Sequence, residues 1–317
     1  MEGEDSFEPT FFLEKEQIEE SIRLVCSTSW EESYIVQYTY LESTLNKYQE
    51  QPMLIAPSLP HFVEVCMNRI LEIVDSSSTQ ETRFHTMKNY QRVNIPQIHV
   101  ICKLLRIFCK VRGAKYVLKL FPHEVNHFEV CLYLLRAQDQ QDFDNWETIY
   151  ILFNWLTILS LIPFDICSID STLSFAADSS STPLSSQSTL THDIIQICKD
   201  NLSNPGPIRE SAALCLATLL TRPDMDQDIL HYVLNSFCEY LESFNEGNEN
   251  IVSFYVIGIL QALAQIFKKG HRNHLLHHAP VVLGPCLKIS LLENNQTLTR
   301  KLVTKLVQWL GAFNHKS

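Results

Sequence analysis

The sequence predicts an all-α protein, and three observations carry that prediction. Apolar residues make up 45% of the 317 residues, which suffices for a substantial core. Glycine is scarce, at 8 residues, whereas a β-fold with many tight turns needs more of it. The third observation is that apolar residues recur at helical spacing along most of the chain, without a strand-like alternation between the helical stretches.

The clearest helical stripe lies between Ile98 and Cys109, where apolar residues recur at intervals of one and three. Burial of each such side chain contributes roughly 1.5–3 kcal/mol, so Leu105→Asp should unfold this segment. Basic residues and Gly113 follow the stripe. Cations suit the carbonyl end of a helix and glycine adopts the left-handed conformation, so we expect the helix to end at Gly113.

Starts and ends of further helices are also indicated by local residues. Asp144 opens a capping-box pattern, and the helix that follows should stop at Pro163. Pro207, directly after Gly206, suits the first turn of another helix. Helices are predicted over 208–221, 252–267 and 299–313.

The predicted helices number about ten and come in pairs that short turns connect. Each helix has an apolar stripe to bury, and its neighbours in the sequence are the available partners. This arrangement predicts a solenoid of stacked helical hairpins of the HEAT or armadillo type, with a compact helical bundle as the alternative.

A serine-rich stretch at 174–191, which contains Pro183 and few large apolar residues, predicts a flexible linker. It divides the chain into two blocks of helical repeats, residues 1–173 and 192–317. We expect both blocks to be helical and the linker to be exposed.

Composition argues against several classes of function. The net charge of −11 disfavours a duplex nucleic-acid binder and simple docking on an anionic membrane. The acidic N-terminus does not resemble a secretory signal, and the apolar run at 149–162 is too short to span a bilayer. The ten cysteines show no CxxC spacing, which predicts reduced core thiols in a cytosolic protein.

Catalytic or metal-binding chemistry has weak support. His271, His274, His277 and His278 have a spacing that could align three imidazoles on one helix face for zinc, but a solvated turn between helices explains them better. His123 and Glu124 could suggest acid–base chemistry, but a helix start explains them better. Phosphate-binding, nucleophile-elbow and metalloprotease motifs do not occur in the sequence. We therefore expect no enzyme, no cofactor and no metal.

Two turns combine an aromatic residue with proline, at Phe121–Pro122 and at Pro163–Phe164. Such an aromatic could contact a partner, or it could plug the end of its own helical hairpin.

Seven segments, taken in order, resemble the tubulin-folding cofactor D family. They are KYQEQP at 47–52, KVRGAK at 110–115, LFPHEV at 120–125, WET at 146–148, IPFD at 162–165, TRPD at 221–224 and KLVTKLVQ at 301–308. One segment alone would be weak, whereas the ordered set spans nearly the whole chain after about residue 30. Family members are several times longer, so the resemblance implies the family's N-terminal region, truncated at its C-terminal side.

The resemblance implies a HEAT/armadillo-like solenoid that acts after the cytosolic chaperonin. It implies capture of β-tubulin, joint action with tubulin-folding cofactors E and C, and binding of a small Arf-like GTPase. It also implies indirect stimulation of GTP hydrolysis by tubulin, and a cytoplasmic location that extends to the cytoskeleton and the centrosome. The acidic charge favours contact with the folded body of tubulin over contact with its acidic tails.

Because the family works by surface binding, no catalytic residue is transferred to this sequence. The candidate partner-binding residues are Arg112, Phe121, Pro122, His123, Glu124, Pro163, Phe164 and Asp165. The rival hypotheses are an acidic helical-repeat transport adaptor, which would bind a Ran-type GTPase or cargo, and a metal hydrolase that uses the histidine cluster.

Overall fold

The computed structural model describes residues 11–29, 31, 35–75, 93–139, 141–164, 189–244, 250–290 and 297–314. These residues form helices joined by turns, and none of them lies in a strand, as the sequence predicted. The chain forms two compact units, Met1–Ile158 and Leu159–Ser317.

Most of the predicted linker, residues 174–188, lies outside the described residues, and a helix begins at Thr189. The predicted division of the chain at 174–191 stays a prediction.

The first unit contains seven helices among the described residues, the last of which ends one residue beyond the boundary. They are α1 (Lys15–Val25), α2 (Ile35–Asn46), α3 (Leu59–Asp75), α4 (Ile95–Phe108), α5 (Ala114–Val117), α6 (His127–Arg136) and α7 (Trp146–Leu159). Helix α1 packs on α2 and α3, and both of these pack on α4. Helix α4 lies centrally because its apolar stripe, which includes Leu105 and Phe108, is fully buried.

The end of α4 differs from the prediction. Gly113 does adopt a positive φ of 97°, but its ψ of 129° is extended, so it is not a left-handed helical cap. A five-residue π-helical turn, Cys109–Gly113, connects α4 to the short α5 instead. The chain keeps turning here because Val111 and Val117, which flank Gly113, are both buried.

The start of α7 also differs in detail. Asp144 lies inside a 3₁₀ turn that Asp142 caps: the Oδ1 atom of Asp142 accepts the backbone N–H of Asp144 at 3.1 Å, and its Oδ2 atom accepts the side-chain amide of Asn145 at 2.6 Å. A 3₁₀ turn, Phe143–Asn145, therefore precedes the helix. An aspartate commonly bonds to the backbone two residues on, and this local bond prevailed over the capping box.

The second unit contains seven further helices among the described residues: α8 (Thr189–Asp200), α9 (Pro207–Leu220), α10 (Gln227–Ser243), α11 (Asn250–Lys269), α12 (Arg272–Leu275), α13 (Ala279–Ser290) and α14 (Thr297–Asn314). Pro207 occupies the first turn of α9 after Gly206, whose φ is 71°, as predicted. The helices predicted at 252–267 and 299–313 are confirmed as α11 and α14.

Helix α11 is the centre of the second unit, since it packs on α9, on α14 and on the 3₁₀ turn Asn201–Ser203. Its contact with that turn is very close at Gly258. A Cβ atom added at Gly258 would lie 2.3 Å from the carbonyl oxygen of Leu202. Glycine in a helix interior costs about 1 kcal/mol relative to alanine, and here it permits this close approach.

Two properties of the described residues bear on function. All nine of their cysteines are free thiols, and eight of these are buried. Burial raises the pKa of Cys102 and of Cys109 to about 12, which leaves both thiols protonated and unreactive at neutral pH. None of the helices that the structure describes is long and apolar enough to cross a membrane.

Candidate partner-binding site

The first proline-containing turn, residues 121–124, buries Phe121 in the first unit and leaves His123 and Glu124 exposed. Only 1% of the Phe121 side chain is exposed. The carbonyl of Pro122 accepts a hydrogen bond from the indole Nε1–H of Trp155 at 2.7 Å. The Phe121 side chain is therefore not exposed to a partner in this structure, and its role as a plug of the hairpin stays a prediction.

The next two residues of this turn lead into α6. The His123 ring lies 3.2 Å from the Phe121 carbonyl through Nδ1. The backbone N–H of Glu124 donates to Nδ1 of His127 at 3.2 Å. Burial lowers the pKa of His127, with a smaller contribution from His123 and with Glu124 and Asp75 opposing the shift. His123 and Glu124 thus take part in the start of a helix.

Arg112 lies in the π-helical turn and is half-buried. Its guanidinium group lies 4.4 Å from the centroid of the Tyr116 ring, which is cation–π geometry. The Tyr116 hydroxyl in turn lies 3.4 Å from the carbonyl oxygen of Ala56. The cation–π contact of Arg112 is thus with its own helical segment, and its role in partner binding stays a prediction.

The second proline-containing turn, residues 160–164, follows α7 and belongs to the second unit. Arg222 fastens it: Nη1 donates to the carbonyls of Ser160 and Ile162 at 2.6 and 2.9 Å, and Nη2 donates to the carbonyl of Phe164. Nε and Nη2 also donate to the two carboxylate oxygens of Asp224 at 2.8 and 2.7 Å. The five donors of the guanidinium are therefore all used inside the chain.

This anchoring leaves apolar side chains of the second turn at the surface. Leu161 is 63% exposed and Phe164 is 55% exposed, and Pro163 between them is exposed as well. Ser160 and Ile162 are buried. Asp165, the remaining candidate, lies outside the described residues. The turn thus presents two large apolar side chains on a backbone that Arg222 holds in place.

A cavity of about 540 Å³ adjoins the second turn. It is lined by residues 160–164, Thr218, residues 221–224 and Lys269. The Lys269 ammonium donates to the Thr218 hydroxyl at 2.7 Å, and that hydroxyl donates to the carbonyl of Leu214, also at 2.7 Å. Exposed apolar residues beside a cavity with a few polar groups are typical of a binding site for a protein segment.

Comparison with known proteins identifies the family to which this chain belongs. The model of the tubulin-specific chaperone D-like armadillo repeat matches residues 45–241, which is more than half of the chain. The chain belongs to the tubulin-specific chaperone D family. Its fold is the all-α, armadillo/HEAT-like helical repeat, as the sequence predicted.

Curated relatives agree with this membership. Tubulin-folding cofactor D of Schizosaccharomyces pombe is 29% identical over 221 residues, which cover 69% of this chain and 18% of the relative. Tubulin-specific chaperone D of Dictyostelium discoideum is 31% identical over 182 residues, which cover 52% of this chain and 12% of the relative. The chain thus spans less than a fifth of the length of these two chaperone D proteins.

A solved structure of an engineered protein also aligns with the chain. The alignment covers 94% of this chain and 97% of the engineered one at 12% identity, with a TM-score of 0.43. That score is too low to support an argument about fold or function.

Within the chaperone D family match, two distant segments meet at the second turn. The IPFD segment supplies Pro163 and Phe164, and the TRPD segment supplies Arg222 and Asp224. Pro163 and Phe164 are among the candidates predicted from the sequence, whereas Arg222, Leu161 and Lys269 are not. The TRPD resemblance was a signal for Arg222, but Lys269 lies outside the family match and only the structure places it at the cavity.

The structure corrects the helix-face alignment considered for the histidine cluster. Of the four histidines, only His274 lies in the four-residue helix α12, so the cluster does not share one helix face. His278 is buried, and the centroid of its ring lies 3.9 Å from that of His277 and 5.2 Å from that of His231. Burial first, then His277 and His231, lower the pKa of His278 to about 4. Across the residues that the structure describes, no group of three or more His, Cys, Asp or Glu side chains could hold a metal ion.

Proposed function

We propose that this chain is a tubulin-folding chaperone module that binds β-tubulin during assembly of the αβ-tubulin heterodimer, after release from the chaperonin. Membership of the chaperone D family supports the choice of tubulin. The observation that carries the location of the contact is the second turn, where Leu161 and Phe164 are exposed on an anchored backbone.

The physical argument concerns the cost of binding. Apolar area removed from water contributes roughly 25 cal/mol per Å², and ordering of a mobile loop subtracts from that gain. Arg222 already fixes the carbonyls of the turn, so little backbone freedom remains to be lost. The exposed aromatic and aliphatic side chains are therefore well placed to act as the centre of a contact with the folded body of β-tubulin.

The same proposal extends to the partners that the family resemblance implies. They are tubulin-folding cofactors E and C and a small Arf-like GTPase. The chain itself is proposed to be a binding protein rather than an enzyme, and any stimulation of GTP hydrolysis acts indirectly, on the site in tubulin. Its proposed location is the cytoplasm, with the cytoskeleton and centrosome as sites of association.

Co-precipitation with newly synthesised β-tubulin tests the proposal. We expect the wild-type chain to capture β-tubulin and the Leu161→Ser/Phe164→Ser variant to capture at least roughly tenfold less, because hot-spot truncation costs about 2 kcal/mol or more. Phe143→Ser is the matched control, since Phe143 is also a largely exposed phenylalanine, at 69%, but lies in the first unit. Leu105→Asp serves as an unfolded control.

The outcomes separate the function from its location. A folded wild-type chain that captures no β-tubulin would exclude the proposed function for this chain. Capture that is equal in all folded variants would place the contact elsewhere on the chain. Enrichment of a Ran-type GTPase or of transport cargo from cytosol, in place of tubulin, would support the transport-adaptor hypothesis.

A further inference from the structure

The cavity beside the second turn carries a net positive charge in an acidic protein. Its lining contains two cations, Arg222 and Lys269, and one carboxylate, Asp224, whereas the whole chain has a net charge of −11. Arg222 and Asp224 form an ion pair at 2.7 Å. The surplus charge of the cavity is therefore that of Lys269.

Lys269 has hydrogen-bonding capacity left for a ligand. Its ammonium group has three N–H donors, of which one is directed to the Thr218 hydroxyl. Within the described part of the chain, no carboxylate lies within ion-pair distance of this ammonium group. Partial burial lowers the pKa of Lys269, and the nearby Lys268 lowers it further while Cys215 opposes the shift. A carboxylate bound beside this ammonium group would offset both of the lowering effects through its negative charge.

The chemistry of the site favours a carboxylate over a phosphate. The planar fork of arginine suits bidentate recognition of a phosphate, whereas lysine binds an anion as a single point charge. The fork of Arg222 is fully occupied by three carbonyls and the Asp224 carboxylate. A single lysine beside apolar walls fits a single negative charge next to an apolar group.

We infer that the cavity binds a protein segment in which an aspartate or glutamate adjoins a large apolar side chain. The carboxylate pairs with the Lys269 ammonium, and the apolar side chain packs on Leu161 and Phe164. This inference rests on the proposed function in that it uses the same exposed turn, and it adds the chemical class of the segment that the turn recognises.

A thermodynamic cycle with a defined peptide tests the inference. The probe is a fluorescein-labelled Gly-Phe-Glu-Phe amide, and its partner in the cycle is the same peptide with glutamine in place of glutamate. Binding to the full chain is measured by fluorescence polarisation for the wild type and for Lys269→Gln. The glutamine side chain can still hydrogen-bond to Thr218, so the substitution removes the charge and retains the local contact.

We expect the glutamate peptide to bind the wild type roughly five- to tenfold more tightly than the glutamine peptide, as a hydrogen-bonded charge pair at a partly exposed site would give. Lys269→Gln should remove this preference and leave the affinity for the glutamine peptide unchanged. A purely structural role of Lys269 would not produce this coupling between the two substitutions. Lys268→Gln, which makes the same change in charge one residue away, should leave the preference intact.

Each other outcome overturns the inference. Equal affinity of the two peptides for the wild type, a preference that survives Lys269→Gln, or no binding of either peptide at millimolar concentration would do so. These results are independent of tubulin capture. If the cycle fails while the second turn still captures β-tubulin, the proposed function stands without the carboxylate. If the coupling is found but the chain captures no β-tubulin, the cavity recognises an acidic segment of a different partner.

Discussion

The two proline-containing turns of this chain use similar residues in opposite ways. In the first turn, Phe121 is buried and the Pro122 carbonyl is held by the indole of Trp155. In the second turn, Phe164 is exposed and the backbone is held by Arg222. The difference teaches that an aromatic residue beside proline does not by itself indicate a plug or a contact surface. The two turns differ in the group that hydrogen-bonds to their backbone carbonyls. A guanidinium can hold several carbonyls from one side and leave the aromatic ring outside.

The largest expected effect is the difference in stability cost between truncating the aromatic residue of the first turn and truncating that of the second. Phe121→Ala should lower the free energy of unfolding by about 3–5 kcal/mol, the usual cost of emptying a buried phenylalanine site. Phe164→Ala should change it by no more than about 0.5 kcal/mol, as expected of an exposed side chain. Urea unfolding followed by circular dichroism measures both. Equal costs for the two substitutions would show that the turns do not differ in the way described.

A smaller effect is expected when the anchor of the second turn is removed. Arg222→Ala leaves three carbonyls and the Asp224 carboxylate without their donor, and an unpaired buried polar group costs about 1–3 kcal/mol. Arg222→Lys should recover little of this, because one ammonium group cannot replace the planar fork. The local readout is chymotrypsin cleavage after Phe164, which should become faster than in the wild type. Unchanged cleavage would mean that the turn holds its shape without Arg222.

The smallest effect concerns pH and the first turn, where the backbone N–H of Glu124 donates to Nδ1 of His127. The folded-state pKa of His127 lies below its usual value, so the neutral ring contributes stability above pH 6.5 that is lost as pH falls toward the lowered pKa. Protonation would also convert Nδ1 from the acceptor of the Glu124 N–H into a donor.

Hydrogen exchange of the Glu124 amide, corrected for its intrinsic rate, measures that effect. Its protection in the wild type should fall as the pH drops below 6.5 toward the lowered pKa of His127. His127→Gln is the control, because its side-chain oxygen can accept the same bond without titrating, and its protection should stay nearly constant. A parallel fall in both proteins would exclude His127 as the cause.

Local residues predicted much of the fold. Pro207 and Gly206 marked the start of α9 correctly, since the fixed φ of proline and the positive φ of glycine are properties of the residues themselves. Gly113 was predicted correctly in φ and wrongly in ψ, because the burial of Val111 and Val117 keeps the chain turning. Asp144, which was predicted to cap α7, instead lies inside a 3₁₀ turn that Asp142 caps, because two local hydrogen-bonding patterns of nearby aspartates competed.

The candidate site was less accessible to prediction, for a physical reason. Whether Phe121 or Phe164 is buried depends on the partner of its turn, and those partners lie far away in the sequence. Trp155 is 33 residues from Pro122, and Arg222 is 60 residues from Ile162. Helical periodicity describes contacts within one helix and carries no information about such pairs. The ordered resemblance to chaperone D sequences named both segments of the second turn but not the bond between them.

The close approach at Gly258 has a consequence for how this family of sequences can vary. The apolar neighbours of Gly258 on α11 can exchange with other aliphatic residues of similar volume, because their contacts are side chain to side chain. At position 258, in contrast, any substituent would collide with the carbonyl oxygen of Leu202, a backbone atom that cannot rotate away. A lineage could therefore change residue 258 only after the 3₁₀ turn had moved outward. The absence of a side chain at position 258 therefore constrains, during evolution, the distance between α11 and this turn of the second unit.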